Sequence, residues 1–166
     1  RLSGYAAPAI GNRSYLIEGE IEIDLASHGV ILAAGGQAGG FVLHLDGGHL
    51  VHEYVGPRAR EVLRSAAALE PGRRRIAFQF AKTGDCRGTA SLLVDGRTEA
   101  VAAMADLWPA PVSGGVTCGY DDASPLGESY AVPGTLTGAS LSLTVGTAGD
   151  FRIDPALETH IALCED

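Results

Sequence analysis

Residues 69–96 decide the fold, and they run LEPGRRRIAFQFAKTGDCRGTASLLVDG. Pro71-Gly72 predicts a tight turn. Residues 74–80 then alternate between polar and apolar side chains, which is typical of a half-buried strand. A second apolar run over 91–94 ends at Asp95-Gly96, a pair that favours a two-residue hairpin turn. The stretch therefore predicts one corner of an antiparallel β-sandwich.

The same two-residue period recurs along the chain every 8 to 12 residues, and no long amphipathic helix precedes residue 154. This spacing is typical of an all-β sandwich, and we expect residues 1–166 to form a single β-sandwich domain. In the first strand, Ile17, Ile21, Ile23 and Leu25 are expected to share the buried face. The predicted strands are 17–25, 29–33, 41–46, 49–54, 60–69, 74–80, 91–94, 98–107, 116–120 and 136–145.

The clearest hairpin joins 41–46 to 49–54 through Gly47-Gly48, a loop that supplies the positive φ of primed turns. This loop length places three cross-strand pairs on one side of the sheet. Those pairs are Leu45 with Leu50, Leu43 with His52, and Phe41 with Tyr54. The other side is expected to be wetter, and it carries Val42, His44, Asp46, His49, Val51 and Glu53.

Composition excludes several classes of partner. The net charge of −8 disfavours nucleic acid and anionic membranes, which both need basic surfaces. No apolar run approaches the roughly 20 residues that cross a bilayer. Cys86, Cys118 and Cys164 have no CxxC spacing, so neither a zinc site nor a disulfide framework is predicted, and a cytoplasmic location is expected. The start at Arg1 without Met is typical of a fragment of a longer protein.

The pattern changes after Asp150, and we treat 150–166 as a terminal extension. Asp154-Pro155 can cap a helix and begin it, because proline is accepted at the first helical position. Leu157, Ile161 and Cys164 would then share one face. One short C-terminal helix is therefore compatible with this segment.

Several segments in order resemble the C-terminal domain of bacterial arylsulfatases. Order and spacing hold from about residue 7 to residue 146. The resemblance implies a concanavalin A-like jelly roll, in which His44 and His52 stand where an aromatic is usual and Ala123 where Gly is common. The matching segments are 7–14, 29–36, 40–45, 48–54, 69–80, 92–96, 119–126 and 136–138.

The resemblance implies a non-catalytic accessory domain that packs on the catalytic sulfatase domain of the same polypeptide. It would shape the rim of that active site or contribute to homo-oligomer contacts. The parent enzyme would hydrolyse sulfate esters with a formylglycine and a divalent metal. The motif Cys/Ser-x-Pro-x-Arg that yields formylglycine is absent here. We therefore predict that this chain alone is no enzyme, and we assign it no catalytic, cofactor-binding or metal residue. An exposed apolar docking patch is expected around Tyr54, Val55 and Pro57, or around Trp108.

Two other functions stay open. A carbohydrate-binding module would need a groove with exposed aromatics, for which Trp108, Tyr120 and Tyr130 are the clustered candidates. A small jelly-roll glycosidase could use acidic side chains that alternate along one strand face, about 6.6–6.8 Å apart for residues i and i+2. Those side chains are Glu18, Glu20, Glu22 and Asp24.

Two candidate metal sites are considered and not assigned. Asp121-Asp122, near Glu128, could supply the oxygen ligands that Ca²⁺ prefers, although a turn-forming role is the simpler interpretation. Among the histidines, the predicted register puts His52 on the opposite face from His44 and His49, so the three cannot form one site.

Overall fold

The computed structural model describes residues 10–36, 38–108, 115–121 and 134–148, together with Leu2, Pro8 and Leu126. These residues form an all-β antiparallel sandwich, as predicted, with no helix in the described part of the chain. The expected terminal helix lies outside the described residues. The strands are β1 (Ser14–Gly36), β2 (Gly39–Asp46), β3 (His49–Val55), β4 (Arg60–Arg64), β5 (Gly72–Gly84), β6 (Arg87–Val94), β7 (Arg97–Met104), β8 (Val116–Cys118), β9 (Tyr120–Asp121), β10 (Gly134–Thr135) and β11 (Thr137–Ala148).

Strand β1 belongs to both layers of the sandwich. Its first half, 14–23, pairs with β5 and β11, and the first sheet has the order β11-β1-β5-β6-β7. Its second half, 29–36, pairs with β2 and β8, and the second sheet has the order β8-β1-β2-β3-β4. The sequence pattern predicted two separate strands here, and the structure shows one bent strand.

The bend in β1 is fixed by local hydrogen bonds. The Asp24 N–H donates to the Ser27 hydroxyl at 2.8 Å, and the Asp24 carboxylate accepts the Ala26 N–H at 2.8 Å. Gly29 has φ of +107°, and a Cβ there would lie 2.1 Å from the Thr135 carbonyl oxygen. Leu25 is 93% exposed on this bend, so its predicted burial with the isoleucines is wrong.

The hydrophobic core lies between the two sheets. Ile17, Phe78 and Leu92 from the first sheet are fully buried, as are Leu43 and Leu50 from the second. The alternation of apolar side chains selects these faces, because successive residues of a strand point to opposite sides. The pattern around 74–80 is confirmed, with Ile76, Phe78 and Phe80 inside.

The hairpin between β2 and β3 has the predicted register. Leu45 pairs with Leu50, and Leu43 pairs with His52. Gly47 and Gly48 have φ of +56° and +79°, the conformation that both central residues of a type I′ turn require. Its opposite side is not wet, however. Val42 there is 0% exposed, because Leu126, Val30 and Ala33 cluster with it on the outside of the second sheet.

Three predicted strands end earlier than expected or are interrupted. The strand expected over 60–69 ends at Arg64, because Ser65 turns the chain by donating its hydroxyl to the Ala67 carbonyl at 2.7 Å. The strand expected over 116–120 is split into β8 and β9 by Gly119, whose φ is +79°. The strand expected over 98–107 is β7, which ends at Met104.

Candidate functional site

The outer face of the first sheet carries a row of charged side chains, which we name the Glu–Arg face. It comprises Glu18, Glu20 and Glu22 of β1 with Arg73, Arg75 and Gln79 of β5. The glutamates point outward because Ile17, Ile21 and Ile23 occupy the alternate, buried positions. The register sets each arginine beside a glutamate on the neighbouring strand, which is a favourable cross-strand arrangement.

The ion pairs on this face are loose. Arg75 Nη2 lies 3.4 Å from Glu18 Oε2, and Arg73 lies 3.6 Å and 3.8 Å from carboxylate oxygens of Glu22 and Glu20. The Arg75 side chain is 69% exposed and that of Glu20 is 62% exposed. Exposed pairs of this kind stabilise a fold by only about 0–1 kcal/mol. Their donors and acceptors can therefore turn to an incoming polar ligand at little cost.

A depression of about 500 Å³ opens at one end of the Glu–Arg face. Glu18, Arg75 and Gln79 line it with charged and amide groups, beside the half-buried apolar side chains of Leu16, Ala77 and Leu93. The combination of an apolar lining with a few polar groups is typical of small-molecule sites. The remaining lining residues are Ile76, Asp95 and Gly96.

Asp95 is held in place at the rim of this depression. It has φ of +50° in the turn between β6 and β7, where its carboxylate accepts the Arg75 N–H at 2.9 Å and contacts Arg74 Nη1 at 3.2 Å. The predicted Asp95-Gly96 turn is thus confirmed. Sequence reasoning assigned no ligand role to Arg75, Gln79 or Asp95. The signal that could have identified Arg75 and Gln79 is the two-residue period of 73–79, which directs their side chains to the same face as the glutamates of β1.

The four carboxylates of the glycosidase alternative do not form one row. Asp24 lies in the bend of β1, where it accepts hydrogen bonds from Ala26 and Ser27. The Glu20 and Glu22 side chains are 62% and 58% exposed. A glycosidase acid needs a carboxyl group shielded from water, and this open face does not shield these side chains.

Within the described residues, Trp108 is held against the core and does not stand free to line the predicted aromatic groove. Its indole Nε1–H donates to the Val55 carbonyl at 3.0 Å, and its backbone N–H donates to the Tyr54 hydroxyl at 2.6 Å. The ring also packs against the core beside Gly39. Tyr54 is only 6% exposed and adds little to the apolar docking patch expected around it, whereas Val55 and Pro57 of that patch are half-buried. Tyr120 is half-buried, and Tyr130 lies outside the described residues.

A buried polar cluster lies on the outer side of the second sheet. His44 Nε2 is 3.0 Å from Glu53 Oε1, and Arg60 Nη2 donates to Glu53 Oε2 at 2.7 Å. Glu53 is 4% exposed and His44 is 1% exposed. Burial lowers the pKa of His44 below its usual value, although Glu53 opposes this shift. The cluster joins β2, β3 and β4, and its burial suits a structural role.

His52 stands in the core on the other side of the same hairpin. Its ring stacks on Phe78 with centroids 3.7 Å apart, which agrees with a histidine filling an aromatic's place. Burial, together with a smaller effect of the neighbouring His44, lowers its pKa to about 3. Neither ring nitrogen has a hydrogen-bond partner in the described structure.

Neither metal candidate gains support from the described residues. His49 binds the Ser65 carbonyl through Nδ1 at 2.8 Å, away from His52 as the register predicted. Asp121 is 2% exposed in β9, while Asp122 and Glu128 lie outside the described residues. Within the described ranges, no three His, Cys, Asp or Glu side chains are grouped as a metal site.

The same ranges contain no helix able to cross a membrane.

The order and pairing of the strands define the chain as an antiparallel β-sandwich of the concanavalin A-like class, as the sequence predicted. No protein-family model matches the chain, and no curated protein matches it. Solved structures do match. The IT-sialidase CBM40 of Ruminococcus gnavus, bound to α2,6-sialyllactose, has a TM-score of 0.60 at 16% identity, over 92% of this chain and 83% of that one.

Two further structures share the fold at low identity. Domains LG4-5 of the mouse laminin α1 chain have a TM-score of 0.56 at 15% identity over 81% of this chain. A candidate carbohydrate-binding protein from Bacteroides ovatus has a TM-score of 0.52 at 16% identity, also over 81%. This chain spans 40% and 38% of those two proteins' lengths. Because all three share the sandwich fold, the jelly-roll part of the predicted resemblance is confirmed. None of the three is described as a sulfatase, so the sulfatase part gains no support.

Proposed function

We propose that this chain is a non-catalytic carbohydrate-binding module whose binding surface is the Glu–Arg face. The observation that carries the proposal is the open depression of about 500 Å³ lined both by apolar residues and by Glu18, Arg75 and Gln79. Sugar rings present hydroxyl groups at their edges and C–H groups on their faces. A lining that combines polar and apolar groups complements both.

The charge of the face favours an uncharged glycan. Three glutamates and two arginines share the face, and the whole chain carries a net charge of −8. A strongly anionic ligand would be repelled, whereas hydroxyl groups can accept from Arg75 and donate to Glu18. Two of the similar structures are a CBM40 bound to a sialyllactose and a candidate carbohydrate-binding protein, which supports the class of function and leaves this ligand to experiment.

Replacing Arg75 with alanine is expected to weaken glycan binding by about 10- to 100-fold. The reason is that hydrogen bonds to charged groups contribute about 1.5–3 kcal/mol, and 1.4 kcal/mol is a tenfold change in affinity. We would screen the native protein on an array of neutral and acidic glycans and then titrate the best ligand by calorimetry. Arg87→Ala is the matched control, because Arg87 is exposed at the far end of β6.

Two results would contradict this proposal. One is a native protein that binds no glycan on the array. The other is a bound glycan whose affinity is equal in the native protein, Arg75→Ala and Arg87→Ala, which would move the site away from the Glu–Arg face.

A second candidate function is an accessory domain of a sulfatase-like hydrolase, acting beside a catalytic domain in the same polypeptide. It is favoured by the ordered sequence resemblance, whose segments fall on β1, β2, β3, β5 and β6 in chain order. The parent open reading frame tests it. A neighbouring region with the Cys/Ser-x-Pro-x-Arg motif would support this candidate, and a neighbouring region of another class would reject it.

A further inference from the structure

We propose that β11 is a dimerisation edge, along which two copies of this chain pair antiparallel and join their first sheets into one. β11 is the outermost strand of the first sheet, and within the described ranges its one partner is β1. A strand edge exposes unpaired N–H and C=O groups that can pair with another strand. The proposal concerns a second copy as the occupant and does not depend on the glycan.

The composition of β11 distinguishes it from the other edge strands. Its twelve residues, TGASLSLTVGTA, contain no charged residue and no proline. By contrast, β4 carries three charged residues among five, β7 carries Arg97 and Glu99, and β8 is only three residues long. Charges, prolines and short length are the features by which proteins block pairing at an edge. β11 has none of them.

The free side of β11 can be assigned from its contact with β1. A Cβ on Gly19 would lie 1.9 Å from the Ser142 carbonyl oxygen, so that oxygen points toward β1. Successive residues of an antiparallel strand direct their N–H and C=O groups to opposite sides. Leu141 and Leu143 therefore direct theirs to the free edge, ready to pair with a second strand.

The strand is complementary to itself in an antiparallel register centred on Leu143. Leu143 then faces its own copy, and Leu141 faces Val145 of the other copy on the inner side. On the outer side Ser142 faces Thr144, so hydroxyl groups meet hydroxyl groups. Leu141, Leu143 and Val145 are only half-buried beside the core, and a second copy would cover their remaining surface. No pairing in this register opposes two charges, which is why a second copy is the occupant we favour.

The geometry has one consequence that does rest on the proposed function. The two-fold axis of an antiparallel strand pair is perpendicular to the sheet. Both Glu–Arg faces would therefore lie on the same side of the joined sheet. Two sites on one surface can bind a repeating ligand with higher avidity than one. The molar mass in solution, measured in the absence of glycan, tests the dimer separately from this consequence.

Light scattering after size-exclusion chromatography across a dilution series tests the proposal. We expect the native protein and the control Val101→Lys, a change on β7, to be dimers at the higher concentrations. Leu143→Lys is expected to be a folded monomer. In the monomer the edge position lets the lysine ammonium reach water, whereas in the dimer the second copy would bury it. A native protein that is monomeric throughout, or a Leu143→Lys protein that stays dimeric, would overturn the proposal.

A cysteine substitution keeps the test decisive should Leu143→Lys not fold. In the proposed register Leu143 and its copy are a hydrogen-bonded pair with Cα atoms about 5.5 Å apart, within the span of a disulfide. Diamide oxidation of Leu143→Cys is expected to give a reducible covalent dimer. All three proteins carry Cys118→Ser and Cys164→Ser, because Cys118 is an exposed free thiol that diamide could also oxidise. In this background Val101→Cys and the parent protein are expected to give none. Equal cross-linking in all three proteins, or none in Leu143→Cys, would reject the interface.

Discussion

Acidification from pH 7 to pH 4 is expected to lower the free energy of unfolding by about 3 kcal/mol through His52 alone. Burial lowers the pKa of folded His52 to about 3, whereas a histidine in an unfolded chain titrates near 6.5. Between these values the unfolded chain binds a proton that the folded protein does not. Stability therefore falls as the pH falls through this window. His44 contributes in the same direction, since burial also lowers its pKa.

Urea unfolding of the native protein and of His52→Leu at both pH values measures this effect. Leucine has a similar volume and no polar atom, so the variant is expected to lose about 3 kcal/mol less on acidification. It is also expected to gain about 1–3 kcal/mol at pH 7, since two buried nitrogens without hydrogen bonds are removed. His28→Asn is the control, because His28 is exposed. A His52→Leu protein with the full acid sensitivity of the native one would refute this account.

The sandwich could be predicted from the sequence because local signals agreed with one another. Gly47-Gly48 fixed the hairpin register, and the two-residue period of 74–80 fixed the inner face of β5. The sequence also predicted that His52 and His44 lie on opposite faces of the sheet, as observed. These features depend on residues close together in the chain, so that turn chemistry and alternation determine them.

The errors arose where distant segments meet. Val42 and Glu53 lie on a side that alternation predicts to be wet, yet Leu126 packs over Val42 from about eighty residues away. Leu25 fits the apolar alternation of β1, yet the bend that carries β1 from one sheet to the other exposes it. No local pattern reports which segment covers a sheet face.

The candidate site was only partly predictable. The sequence identified the outward glutamates of β1, but their partner strand is β5, more than fifty residues later. Arg75 and Gln79 became candidates only when that pairing was known. Trp108 shows the converse, because its aromatic ring suggested sugar stacking while hydrogen bonds to Val55 and Tyr54 fix it against the core.

Removal of the Glu53 carboxylate is expected to destabilise the fold by about 3 kcal/mol, the lower end of the range for breaking a buried ion pair. Glu53 is 4% exposed and accepts from Arg60 while it contacts His44. Glu53→Ala would leave both partners without this carboxylate. The Arg60 side chain is 33% exposed and can turn partly to water, which limits the loss. Urea unfolding at pH 7 measures the change, with Glu20→Ala as the exposed control within about 0.5 kcal/mol of native.

A double variant separates two contributions to the free energy of unfolding. One is the cost of leaving His44 buried without Glu53, and the other is the net contribution of the Glu53–His44 pair. In Glu53→Leu/His44→Leu both polar groups on the β2–β3 hairpin are replaced together by apolar side chains. Replacing a buried pair by apolar residues is often neutral, whereas removing one member is costly. We therefore expect the double variant to be more stable than Glu53→Leu alone. If the two proteins unfold at the same urea concentration, His44 is not the group that Glu53 compensates, and the effect comes from the other contacts of Glu53, that with Arg60 included.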